Sequence, residues 1–126
     1  MPHTRSADAR RVLMVDDEPS LLDGFKTAFA RAGRPIETCD SFEDARKRLL
    51  EESFDVLITD VRLGPFNGLQ LAIIARDRDP EMGIIVFSGY DDPVLQDEAA
   101  HIGARYLVKP VGFDQLLEVI ESLSGR

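Results

Sequence analysis

"VLITDVRLGPFNG", Val56 to Gly68, sets the fold of the chain. Four residues suited to a buried strand, Val56 to Thr59, run straight into Asp60. A loop comes next, carrying Gly64-Pro65 and Asn67-Gly68. The run does not alternate apolar with polar. An unbroken aliphatic and β-branched run is how a strand covered on both faces reads.

Four more short runs punctuate the 126 residues: "RVLMV" at 11–15, "PIETC" at 35–39, "GIIVF" at 83–87 and "RYLV" at 105–108. "PIETC" alternates more than the others and reads as a strand nearer an edge. Stripes of helical spacing lie between the runs. They are Leu21, Leu22, Phe25, Ala28 and Phe29; Phe42, Ala45 and Leu49; Leu69, Ala72, Ile73 and Arg76; Val94, Leu95, Ala99 and Ile102; and Phe113, Leu116, Leu117, Ile120 and Leu123. Pro19 and Pro93 suit first helical turns, Ser41 with Asp44 a capping-box-like start, and Gly33 and Gly103 helix stops. Gly24 sits inside the first helix, at a cost of about 1 kcal/mol relative to Ala.

Five βα units with short connections predict an α/β fold. Its expected form is a doubly wound, five-stranded parallel sheet flanked by five helices. An eight-fold barrel needs a longer chain. The predicted boundaries are a flexible tail over residues 1–9 and one domain over 10–124.

Composition narrows the function. A net charge of -8 opposes sequence-independent binding to DNA or RNA, which needs a dense Lys/Arg face. Cys39 is the single cysteine, so it forms no intramolecular disulfide and reads as a small reduced core residue. The apolar patch Val12 to Val15 ends at once in Asp16, Asp17 and Glu18, too short for a signal peptide. No apolar run reaches the roughly 18 residues of a membrane span. The expectation is a cytoplasmic protein without membrane attachment.

In an open parallel sheet, ligands bind outside the carboxyl ends of the strands. The residues just past each run are therefore the informative ones: Asp16 and Asp17, then Asp60, then Ser88, then Lys109. Singly, each is an ordinary cap or turn residue. Together they place three carboxylates, a hydroxyl and an ammonium on one rim. Carboxylates packed together repel, so one takes up a proton unless a cation enters. An all-oxygen set suits a hard divalent ion such as Mg²⁺. Lys109 and Ser88 add what phosphoryl transfer requires, charge neutralisation and a donor for phosphoryl oxygens. The nucleophile is then a carboxylate. Asp16 and Asp17 are adjacent, so their side chains are expected to diverge and to serve a metal. Asp60 stands alone, with the loop 61–67 expected to move freely around it, and is assigned as acceptor.

The motifs "VDDEPS", "VLITDVRLGPFNG", "IIVFSGY" and "GARYLVKPVGFDQLLEVI", covering about residues 11 to 123, resemble the receiver domain of two-component response regulators. The resemblance implies a flavodoxin-like sheet of order 2-1-3-4-5 and an Mg²⁺ or Mn²⁺ cofactor. It implies Asp60 as phosphoacceptor, Asp17 as a direct metal ligand, Asp16 as a ligand through water and the backbone carbonyl of Arg62 as another. It implies Lys109 as partner of the phosphoryl group, Ser88 and Tyr106 as switch residues, and a cis peptide bond before Pro110. The implied partner is a histidine kinase or histidine phosphotransfer protein. The implied output is a changed surface of the fourth helix, fifth strand and fifth helix, with phosphorylation-dependent homodimerisation as one outcome. Two features depart or differ. Pro commonly stands fourth after the acceptor, whereas here the order is Gly64-Pro65. Arg62 and Tyr90 are large, at positions that in the family govern water access to the acyl phosphate, and imply slow self-dephosphorylation. The competing readings are an interaction module without phosphorylation and an Mg²⁺-dependent phosphatase with an Asp nucleophile. The phosphatase wants a second Asp two residues on, where this chain has Arg62.

Overall fold

Strand β1 (Val12–Val15) is followed by helix α1 (Pro19–Arg31), β2 (Glu37–Cys39), α2 (Phe42–Glu51) and β3 (Val56–Asp60) in a computed structural model that describes residues 10–123. Then come β4 (Arg62–Leu63), β5 (Phe66–Asn67), α3 (Leu69–Arg78), β6 (Gly83–Ser88), α4 (Pro93–Ile102), β7 (Arg105–Val108) and α5 (Phe113–Ser122). The predicted tail, residues 1–9, lies outside the described residues, as does residue 124.

The main sheet has the order β2-β1-β3-β6-β7 with every neighbouring pair parallel. Counting only its own strands, this is the expected order 2-1-3-4-5. β3 lies at the centre, paired Val12 to Val56 with β1 and Asp60 to Phe87 with β6. Alternate residues of each central strand enter two separate cores. Leu13, Leu57, Ile84 and Val86 pack with Phe42, Leu49, Leu71 and Ala75 of α2 and α3, and Ala99 of α4 joins them. Met14, Ile58, Ile85 and Phe87 pack on Leu22 and Phe29 of α1 and Leu116 and Ile120 of α5. Burial on both faces is why these strands are unbroken apolar runs. β2 is only partly buried, as expected of an edge strand, and β7 closes the opposite edge.

Local chemistry sets the helix ends. The Ser41 hydroxyl accepts a hydrogen bond from the Asp44 N–H at 3.2 Å. Asp92 caps α4 by accepting from Val94 N–H at 2.9 Å, with Pro93 in the first turn. Gly103 ends α4 with φ +79°, which glycine adopts without penalty. Gly24 lies in the middle of α1, and a Cβ there would meet nothing within 4 Å. Gly24→Ala is expected to raise stability by about 0.5–1 kcal/mol, read as a higher midpoint in urea at unchanged slope.

Two predicted inward positions point outward. Ile73 is 54% exposed and Val94 65%. In α3 the buried set is Leu69, Leu71, Ala72 and Ala75, rotated by about one residue from the predicted stripe. Ile73 and Ile74 make that helix apolar on several sides, so periodicity alone did not choose its inner face. Arg76 is used differently from a stripe residue. Its guanidinium donates to the carbonyls of Ile102, Pro80, Met82 and Gly103, tying the end of α4 to the loop before β6.

The segment after Asp60 is also a correction. Residues 61–67 form no free loop. Arg62 pairs with Asn67 and Leu63 with Phe66 in a small antiparallel hairpin turned by Gly64-Pro65. Gly64 has φ +60° and Pro65 a fixed negative φ, the sign sequence of a type II′ two-residue turn. The Gly-Pro order thereby has a physical reason. Leu63 is buried, and Phe66 stacks on Phe42 of α2 at 4.7 Å between ring centroids.

Candidate functional site

The carboxyl ends of β1, β3, β6 and β7 open into one cleft of about 410 Å³, whose lining includes Asp17, Asp60, Arg62, Ser88, Asp92 and Lys109. Parallel strands place the residue after each apolar run on the same rim, which is how chain positions as far apart as Asp16 and Lys109 meet.

Asp16, at the end of β1, is 1% exposed. One of its oxygens accepts from Glu18 N–H at 3.0 Å, the other from Lys109 Nζ at 2.9 Å. Asp17 is exposed and accepts from the Gly64 N–H of the hairpin turn at 3.1 Å. The two side chains have different surroundings yet do not part company. Asp16, Asp17 and Asp60 each bring one oxygen within 4.8 Å of the others. The backbone bond from Gly64 fixes the hairpin to this cluster.

Asp60 is 8% exposed, with Oδ1 at 3.4 Å from Lys109 Nζ. Its pKa is pushed up to about 6, first by burial and then by the neighbouring Asp16 carboxylate. Lys109 opposes that rise without cancelling it. Burial opposes the charged form of Lys109, but its hydrogen bond to Asp16 and the charges of Asp16 and Asp60 outweigh that and hold its pKa above the usual lysine value. Glu18 stands 3.6 Å from the same Nζ. One ammonium thus faces several acidic groups, which is the charge deficit that a divalent cation would fill. The donor set fits such an ion: carboxylate oxygens close enough to share a centre, and no soft ligand among them.

Ser88, at the end of β6, is buried, and its hydroxyl oxygen accepts from Tyr90 N–H at 3.1 Å. Tyr106 on β7 is half-buried and donates its phenol proton to the Tyr90 carbonyl at 2.6 Å. Both therefore hold the backbone of one residue. The Arg62 guanidinium lies 5.2 Å from the centre of the Tyr90 ring, a cation–π contact at the mouth of the cleft. The Lys109 N–H donates to the Ser88 carbonyl at 2.7 Å, and the Lys109–Pro110 peptide bond is cis.

Asp16, Asp17, Asp60, Arg62, Ser88 and Lys109 lie on this rim, Tyr106 is hydrogen-bonded to the Tyr90 carbonyl beside it, and Pro110 follows Lys109. Sequence reasoning missed two contributors. One is Asp92, whose carboxylate caps α4 at the edge of the cleft; its Asp-Pro signal marked a helix start and nothing more. The other is the hairpin, whose only sequence sign was a Gly-Pro pair between Leu63 and Phe66.

The family model for the response regulator receiver domain matches residues 12–121. The alginate biosynthesis transcriptional regulatory protein AlgB of Pseudomonas aeruginosa is 33% identical over 114 residues, which is 90% of this chain and 25% of AlgB. The chain thus spans about a quarter of the length of that curated relative. A CheY-like receiver domain protein of Methanospirillum hungatei superposes with a TM-score of 0.84 at 29% identity, covering 90% of this chain and 93% of that one. A response regulator of Burkholderia pseudomallei, solved with a phosphorylated aspartic acid, a calcium ion and citrate, superposes with a TM-score of 0.81 at 26% identity, covering 88% and 66%. The chain belongs to the response regulator receiver domain family. Among the described residues, no helix is long and apolar enough to cross a membrane.

Proposed function

We propose that the chain, over residues 10–124, is a phosphoacceptor domain in which Asp60 takes a phosphoryl group from a histidine kinase or histidine phosphotransfer protein. The observation that carries this reading is the setting of Asp60, a buried carboxylate of raised pKa between two further Asp side chains and Lys109. The phosphorylated aspartic acid and calcium ion of the Burkholderia pseudomallei protein support it.

In the transfer, an Asp60 carboxylate oxygen attacks phosphorus and forms a new P–O bond. The P–N bond to the donor imidazole breaks, and its electron pair stays on the imidazole nitrogen. Asp16, Asp17, Asp60 and the Arg62 carbonyl would hold Mg²⁺ or Mn²⁺. Such an ion supplies charge neutralisation for the attacking carboxylate and the phosphoryl oxygens. Lys109 sits where it can pair with a phosphoryl oxygen, its 3.4 Å distance from Asp60 being within reach of a small rearrangement. The domain catalyses its own phosphorylation and the slow hydrolysis of the product, one group per molecule, and is not a turnover enzyme.

The switch follows from the Tyr90 backbone. Ser88 and Tyr106 hold its N–H and its carbonyl. A phosphoryl oxygen on Asp60 accepts the Ser88 hydroxyl proton and draws the hydroxyl oxygen away from Tyr90 N–H, which frees the Tyr90 backbone and biases the surface of α4, β7 and α5. Homodimerisation through that surface is one readout, and engagement of an output partner is another.

The Arg62–Tyr90 contact shields the cleft mouth. Hydrolysis of the phosphorylated chain is expected to quicken by about tenfold in an Arg62→Ala, Tyr90→Ala double variant, the order of magnitude of one lost barrier contact. Timing the loss of label after removing the donor checks it; an unchanged lifetime removes the shield. For the function itself, the chain is incubated with Mg²⁺ and an acyl phosphate donor. Stoichiometric incorporation supports the proposal. Steady release of phosphate without a labelled protein contradicts it.

A further inference from the structure

Gly68 stands between Asn67 of the hairpin and Leu69, the first residue of α3. Its backbone is ordinary, φ -62° and ψ -19°, so no unusual conformation demands glycine there. Space does. A Cβ on Gly68 would lie 1.8 Å from the carbonyl oxygen of Asp60, 2.9 Å from its carbonyl carbon and 2.8 Å from the Thr59 hydroxyl oxygen. None of these can swing away. Two are backbone atoms of the central strand, and Thr59 is fully buried.

The same place gathers directional bonds. Thr59 Oγ1 donates to the Asp60 carbonyl at 3.0 Å. Gly68 N–H donates to the Val61 carbonyl at 2.6 Å, while Val61 N–H donates to the Phe87 carbonyl of β6 at 2.9 Å. The Gly68 carbonyl in turn accepts from Leu71 and Ala72, starting α3. Asn67 supplies the side-chain cap that Gly68 lacks, accepting from Leu69 N–H at 2.8 Å. The main chain of residues 59–61 is therefore held from the β6 side by a ladder bond and from the α3 side by a helix start seated directly on it.

We infer that Gly68 and Thr59 are positioning residues for Asp60: the start of α3 and the Thr59 hydroxyl form a seat that fixes the backbone carrying the acceptor carboxylate. The inference rests on Asp60 being the phosphoacceptor. Neither residue touches the reacting atoms. Both act through the Asp60 carbonyl, and through residues 60–62 they set the acceptor side chain and the Arg62 carbonyl together. Any side chain at position 68 must push the strand end, the helix start or both.

The test uses the full chain with Mg²⁺ and an acyl phosphate donor, following phosphorylation rate against donor concentration. Gly68→Ala is compared with Gly24→Ala, whose new methyl meets nothing within 4 Å. Gly68→Ala is expected to lower the limiting rate by about 100-fold, the scale of an ångström of misplacement at a reacting group, with little change in half-saturating donor. Its Mg²⁺ affinity, read by calorimetry, falls as well, and Gly24→Ala leaves both near wild type. Thr59→Val keeps the side-chain volume and loses the hydroxyl. It lowers the limiting rate by about fivefold, the scale of one hydrogen bond. Thr59→Ser keeps the hydroxyl, loses the methyl and restores the rate even where it lowers stability. A residue that only fills the core predicts the reverse order for these two.

A folded Gly68→Ala protein with rate and Mg²⁺ affinity within about twofold of wild type, less than one hydrogen bond contributes, overturns the inference. Should Gly68→Ala not fold, the Thr59 pair decides, and a Thr59→Val protein as fast as wild type overturns it. Failure of the two readings is distinguishable. A wild-type chain that takes up no phosphoryl group overturns the proposed function and this inference with it. A phosphorylated wild type with unaffected variants overturns the inference alone.

Discussion

Asp60→Asn is expected to stabilise the metal-free chain at neutral pH. Burial first, and the Asp16 charge second, raise the Asp60 pKa from 3.8 to about 6. The folded state therefore holds the proton more tightly than the unfolded chain does. The stabilisation from a protonated Asp60 is complete below about 3.8 and is lost as pH rises through about 6. Above that window the fold carries an ionised carboxylate that it disfavours by about 2–3 kcal/mol, at roughly 1.36 kcal/mol for each tenfold gain in proton affinity. Asn is isosteric and always neutral. The variant should melt about 5–10 °C higher than wild type at pH 7.5 in chelator, for a domain of this size. The gain should shrink through pH 6 and disappear near pH 4, and thermal unfolding across that range reads it out. Mg²⁺ should narrow the gap from the other side, because it relieves the same repulsion in wild type. A gain independent of pH would mean that Asp60 is not the strained group.

The second large effect lies at Lys109. Its ammonium lies within 4 Å of both Asp16 and Asp60. Lys109→Met keeps much of the stem and removes the charge, leaving a 1% exposed Asp16 side chain without that partner. Removing one partner of a buried pair destabilises by about 3–5 kcal/mol, and the partial exposure of Lys109 sets the expectation at the lower end, about 3 kcal/mol. The raised pKa of Lys109 means that its contribution is present below the ordinary lysine value and is lost only as pH rises through the folded one. Across pH 5–9 the deficit of the variant is therefore governed by the carboxylates, and it should lessen as Asp60 protonates below about 6. Combining Lys109→Met with Asp60→Asn should be less damaging than the sum of the separate effects, since a neutral residue 60 needs the ammonium less. Chemical denaturation of the four proteins of this cycle gives the coupling. Strict additivity would separate the two groups energetically, whatever their 3.4 Å distance.

Both effects trace to residues legible in the sequence, and the reason is geometric. In a parallel sheet, an unbroken apolar run fixes a strand by itself, and the residue after it must lie on the common rim. Asp16, Asp60 and Ser88 are each one step beyond such a run, and Lys109 is one step beyond the edge strand over 105–108, so strand recognition alone gathers them. Less legible was anything set by one face against another. Ile73 and Val94 read as inward because their helices carry apolar residues on more than one side, and only packing against α2, β6 and β7 selects the face. In the sequence the hairpin over 62–67 reads as a free loop because two-residue strands have no periodicity to detect. Its restraint comes from Gly64 bonding Asp17 and Phe66 stacking on Phe42, contacts between residues far apart in the chain. In the sequence Gly68 reads only as a turn residue. The close packing that would put a Cβ 1.8 Å from the Asp60 carbonyl oxygen, and so demands glycine, depends on where α3 starts in space.

The proposed function turns on the formation of one acyl phosphate, on Asp60. The direct measurement is intact-protein mass with site mapping, after incubation with Mg²⁺ and an acyl phosphate donor, for wild type and Asp60→Asn. The expected result is one added phosphoryl group per wild-type chain, mapped to Asp60, labile as an acyl phosphate and absent from Asp60→Asn. A phosphoryl group of undiminished yield on Asp60→Asn, or none on a folded wild-type chain under the same conditions, would contradict the assignment of Asp60 as acceptor.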